Sequence, residues 1–185
     1  MLLALGYFAD SSRQQANQQP LACTLSDESK SNVISQESSD DLLKRLENSP
    51  SQGPALRREA MSLLSELPHY DWCGIYRLEG DKLVLDEFVG APTDHTVIPV
   101  GTGVCGTAVA EDSNQVIEDV RELSNYLACS TQTRSEIVVL IKDNAGNTLG
   151  QIDIDGHQVA AFDHTDEALL KAMARRLASS WSDGS

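Results

Sequence analysis

Residues 72–88 leave the chain one local solution. Trp72-Cys73-Gly74-Ile75-Tyr76-Arg77-Leu78 is apolar and aromatic, Glu79-Gly80-Asp81 is a turn, and Lys82-Leu83-Val84-Leu85-Asp86-Glu87-Phe88 returns. Aromatic and β-branched runs joined by a glycine turn form a β-hairpin. A lone hairpin is marginal in water, so its apolar face needs further strands and a helical layer. The flanking sequence supplies both. Before the hairpin, Ser38-Ser39-Asp40-Asp41 offers caps and acids ahead of Leu42, Leu43 and Leu46, and Asn48-Ser49-Pro50 stops that helix. A second helix starts near Pro54, with Leu56, Ala60, Leu63, Leu64 and Leu67 on one face, and Pro68 stops it. After the hairpin, strands are expected over 97–100, 115–117, 135–141 and 148–154, with a hairpin turn at Asn144-Ala145-Gly146-Asn147. A short helix is expected over 107–111, and 119–134 reads as a loop with a broken helical turn. A last helix is expected from Thr165 to about Ser180, capped and acid-loaded by Asp163-His164-Thr165-Asp166-Glu167. The result is an α+β fold. One antiparallel sheet of about six strands carries the N- and C-terminal helices on one face and ligand-covering loops on the other.

Composition narrows the function. A net charge of -14 repels phosphate backbones and anionic lipid, which argues against nucleic acid and membrane partners. The apolar run at the start ends at Phe8, too short to span a bilayer, and no Lys or Arg precedes it as a secretory signal requires. Residues 9–38 are rich in Ser, Gln, Asn and acids, so residues 1–36 read as a disordered tail ahead of a single domain over 37–182. The cysteines, Cys23, Cys73, Cys105 and Cys129, are sparse and form no Cys-x-x-Cys pair, which suits reduced thiols and a cytoplasmic location. The four histidines have no ligand spacing, so neither a metal nor a cofactor is expected.

Two of these thiols stand apart. Cys105 lies among three glycines in Gly101-Thr102-Gly103-Val104-Cys105-Gly106, and Cys129 lies in a polar loop. Downstream come Glu136, near the start of one strand, and Asp153 and Asp155, near the end of the next. Asp153 and Asp155 share a sheet face because strand side chains alternate. Acids crowded in one pocket repel each other, so one of them keeps its proton near neutral pH. Thiols beside such acids point to redox chemistry on a small, positively charged molecule. Cys73, in mid-strand, reads as a packing thiol.

The ordered set Trp72-x-Gly74-x-Tyr76, Leu83-Val84-Leu85, Gly101-x-Gly103-Val104-Cys105-Gly106-Thr107-Ala108, Ala128-Cys129, Ser135-Glu136-Ile137-Val138 and Asp153-Ile154-Asp155 resembles the free methionine-(R)-sulfoxide reductases, which are GAF domains. The resemblance covers residues 38–181. It implies a GAF-like fold and reduction of free L-methionine (R)-sulfoxide, as part of oxidative-stress repair, with thioredoxin as reductant. By the same resemblance Cys129 is the catalytic thiol and Cys105 a second, disulfide-forming one. Glu136, Asp153 and Asp155 hold the substrate, and Trp72 and Tyr76 line the pocket. Two departures are visible. His95 stands where the family usually has a third cysteine, and Asn125-Tyr126-Leu127-Ala128-Cys129-Ser130 replaces the family's usual Gly-His-Ile-Ala-Cys-Asp. The rival reading is a non-catalytic GAF module that binds and senses a small ligand. A homodimer through the terminal helices is a further option.

Overall fold

The structure, a computed structural model, describes residues 33–124 and 131–182. Residues 1–32 of the expected tail lie outside the described residues. Of those that follow, Ile34 is buried in the core and Ser35 caps the first helix. The elements run α1 (Gln36–Glu47), α2 (Gly53–Leu64), β1 (Trp72–Glu79), β2 (Lys82–Val89), β3 (Val97–Pro99), α3 (Gly103–Ala110), β4 (Gln115–Ile117), β5 (Ser135–Lys142), β6 (Thr148–Gly156) and α4 (His164–Ala178). One 3-10 turn, Val120–Glu122, precedes β5. The strands form a single sheet in the order β3-β2-β1-β6-β5-β4, every adjacent pair antiparallel. The expected α+β architecture is therefore the observed one.

The two-residue period of the central strands sorts the sheet into two chemically different faces. Cys73 and Ile75 of β1, Ile137, Val139 and Ile141 of β5, and Ile152 and Ile154 of β6 face α1, α2 and α4 and form the main core. The helices answer with stripes such as Leu169, Leu170, Met173 and Leu177 of α4, spaced for one face of a helix. Each buried aliphatic side chain of this kind contributes about 1.5–3 kcal/mol. Helix α4 starts as the sequence indicates. Asp163 accepts from Thr165 N–H at 2.7 Å, and Asp166 reaches back to Asp163 N–H at 2.8 Å. Between β1 and β2, Gly80 sits at φ +67, where a side chain would be strained.

The opposite face carries Trp72, Tyr76, Val138 and Leu140, covered by α3 with Val104, Cys105 and Ala108. Several boundaries differ from the sequence expectation. Helix α2 ends at Leu64, capped at Ser65, so Leu67 is buried from the turn beyond the helix and not from its face. Helix α1 begins at Gln36, because Ser35 accepts Ser38 N–H at 3.1 Å and caps it earlier. Helix α3 begins at Gly103 instead of Thr107. Glycines are poor helix formers, and here packing on the sheet overrides their propensity. Cys105 is thus a helical residue facing the sheet.

Candidate active site

The α3 face holds polar groups that a core face normally lacks. Because Ile152 and Ile154 turn toward the helices, Asp153 and Asp155, which alternate with them, must turn the other way. Register places Glu136 opposite Asp155 on β5, and Trp72 and Gly74 opposite Asp155 and Asp153 on β1. All three carboxyls are buried: Glu136 is 3 % exposed, Asp153 0 % and Asp155 2 %. Cys105, 3 % exposed, descends from α3, and its Sγ–H donates to Glu136 Oε1 at 3.8 Å. One donor atom each from Cys105, Glu136 and Asp153 lies within 4.8 Å of the others. These three would also accept a divalent cation once deprotonated, a donor set that sequence spacing did not suggest.

Three acids in one dry space cannot all be ionised cheaply. Burial above all, then the charges of Asp153 and Asp155, push the Glu136 carboxyl well above its usual range. Burial and the charge of Asp153 do the same to Asp155. Burial lifts Asp153 up to about 6, partly offset by the proximity of Cys105 and Glu136. Among the described residues, neither oxygen of Asp153 makes a well-directed hydrogen bond, although Cys105 and Glu136 are close, and Asp155 Oδ1 makes none either, although Thr133 is close to that carboxyl. Among the described residues, no ion pair reaches any of the three. Such a cluster can donate a hydrogen bond from a protonated acid and, from an ionised one, accept a cation. Cys73 lies on the other face, where burial pushes its thiol far above the ordinary value and leaves it inert.

Trp72 forms one wall. Its indole lies flat over Gly74, where an added Cβ would stand 2.1 Å from the ring, so only glycine admits this packing. Nε1–H donates to Ala91 carbonyl at 3.0 Å, and the ring stacks on Phe88. Tyr76 sits deeper in the same cluster, with its hydroxyl donating to the His95 carbonyl at 2.9 Å. His95 thus holds Tyr76 through its backbone. Cys129 lies outside the described residues.

A cavity of about 130 Å³ opens beside this cluster, walled by Trp72, Asp155, Thr133, Thr93, Asp71 and His157, among others. Trp72 and Asp155 join it to the buried acids, whereas Tyr76, Cys105, Glu136 and Asp153 lie outside its wall. Asp71 and His157 were missed in the sequence. The available signal was positional, since they flank Trp72 and the Asp153-x-Asp155 run at paired strand ends.

The GAF domain family matches residues 54–181. The free methionine-R-sulfoxide reductase of Saccharomyces cerevisiae is 40% identical over 108 residues, 57% of this chain and 59% of that protein. The free methionine-R-sulfoxide reductase of Escherichia coli is 40% identical over 116 residues, 62% of this chain and 68% of that protein. The X-ray structure of free methionine-R-sulfoxide reductase from Neisseria meningitidis in complex with its substrate superposes with a TM-score of 0.72 at 31% identity, covering 80% of this chain and 92% of that one.

Proposed function

The chain belongs to the GAF domain family and, within it, to the free methionine-(R)-sulfoxide reductases, and from that premise we propose that it reduces free L-methionine (R)-sulfoxide to methionine. The observation that carries this reading is the buried Cys105–Glu136–Asp153 cluster, a thiol beside acids that have no cation of their own among the described residues. In this reading residues 37–182 form the catalytic domain and residues 1–36 a tail.

The thiolate of Cys129 attacks the sulfoxide sulfur while a buried carboxylic acid hydrogen-bonds the oxygen and supplies a proton. Oxygen passes to Cys129 as a sulfenic acid, the sulfoxide sulfur gains two electrons, and methionine leaves. The Cys105 thiol then attacks the sulfenic sulfur, water departs, and a Cys105–Cys129 disulfide forms. A low-potential dithiol such as thioredoxin restores both thiols by exchange and is itself oxidised. The acid that stays ionised receives the substrate's α-ammonium, and Trp72 packs on its apolar end. The role of Cys129 rests on the family resemblance, and that of Cys105 also on its distance to Glu136. A place in oxidative-stress repair follows from the product, which returns oxidised methionine to use.

The test is turnover of the R against the S sulfoxide, coupled to thioredoxin. The R form alone should be reduced, and mass spectrometry after turnover should find the Cys105–Cys129 disulfide. Cys129→Ser should abolish the reaction, and full activity in that variant refutes the assignment. Cys105→Ser should complete one turnover and then stall. Binding of methionine sulfoxide without turnover would favour a ligand-sensing GAF module, the reading supported by His95 standing where a third thiol is usual.

A further inference from the structure

A free amino acid brings two charges to a site, an α-ammonium and an α-carboxylate. The buried acids answer the first and would repel the second. Among the described residues that wall the cavity, His157 alone can carry positive charge. It is the first residue past the end of β6, two positions after Asp155. Asp71, just ahead of β1, holds it in place. Asp71 Oδ2 accepts the His157 backbone N–H at 2.6 Å, and Asp71 Oδ1 lies 3.2 Å from His157 Nδ1. That double contact commits Nδ1 to the protein, and in the protonated ring it leaves Nε2–H to donate to an outside group. His157 is 41% exposed, so it stands at the mouth, while Asp155 lies deep in the same cavity, its Oδ1 without a well-directed hydrogen bond among the described residues.

We propose that this cavity is the subsite for the zwitterionic backbone of the substrate. His157 donates from Nε2 to the α-carboxylate, and Asp155 faces the α-ammonium. The assignment rests on the reductase reading above and adds the reason for a preference for the free amino acid. A methionine sulfoxide within a peptide, or its carboxamide, presents no anion at this mouth for the imidazole to bind. A protonated His157, with Asp71 bonded to its other side, would therefore separate substrates that share the same sulfoxide.

The experiment measures KM and kcat for methionine (R)-sulfoxide and for its α-carboxamide in the full chain, His157→Gln and His157→Lys. A charge-assisted hydrogen bond lost in His157→Gln should raise KM for the free acid about tenfold, with the loss in KM and not in kcat. KM for the carboxamide should change little. His157→Lys, which keeps a cation at the mouth, should retain the preference for the acid. A thermal melt confirms that each variant folds, which a half-exposed position permits. An equal rise for both substrates, no rise for either, or loss of preference in His157→Lys overturns the proposal and leaves the reductase reading intact. A wild-type chain that reduces neither substrate refutes the reductase reading itself, and the subsite falls with it.

Discussion

Asp153→Asn should make this protein more stable at neutral pH while disabling it. Burial moves the Asp153 carboxyl from 3.8 to about 6. Two units at about 1.4 kcal/mol each correspond to roughly 3 kcal/mol. Between about pH 3.8 and 6 the folded state keeps a proton that the unfolded chain has released, so stability falls as pH rises through that window. At pH 8 the wild type carries the whole cost. An amide has nearly the same shape and no charge to bury. It should gain about 3 kcal/mol at pH 8, or about 6–12 °C in Tm for a domain of this size, and almost nothing near pH 3.5. Removing the charge also relieves Glu136 and Asp155, whose carboxyls are raised partly by Asp153. The assay is urea unfolding followed by tryptophan fluorescence at pH 8, 6 and 3.5. Equal stability at pH 8, or a gap that does not narrow as pH falls, would refute the reasoning. In the reductase reading the same variant should lose most of its turnover, because the acid is retained for function against its cost in stability.

Gly74→Ala should displace Trp72, since its Cβ would lie 2.1 Å from the ring. The expected cost is about 1–3 kcal/mol, with a changed near-ultraviolet dichroism and a loss of turnover of about tenfold or more. Arg57 is 1 % exposed, pairs with Asp86, donates to the Trp181 carbonyl at 2.9 Å and lies 4.8 Å over the Trp181 ring. Arg57→Ala should cost about 3 kcal/mol in chemical unfolding, and a cost below about 1 kcal/mol would mean the pair contributes no net stability. Cys73 should resist alkylation in the folded protein at pH 8 and react only after unfolding, read by peptide mass spectrometry, because burial suppresses its thiolate.

The alternation in β6 was open to reading from sequence. Ile152 and Ile154 against Asp153 and Asp155 can satisfy a sheet only by separating onto opposite faces. The hairpin over 72–88 and the cap of α4 were equally legible, because each is settled by neighbours within a few residues. Helix α3 is longer than its sequence pattern indicates. Its glycines obscure the helical signal, and its start at Gly103 is decided by packing on a sheet whose strands β5 and β6 come later in the chain.

Periodicity and turn chemistry act locally, so they already specify the α+β architecture and which carboxyls share a face. Long-range packing brings the Cys105 thiol to Glu136, holds Tyr76 on the His95 carbonyl, and sets Asp71 and His157 on one cavity. It also decides the state of the acids. A carboxyl's charge depends on the solvent and charges around it, and here those surroundings are assembled from β1, β5, β6 and α3, segments far apart along the chain.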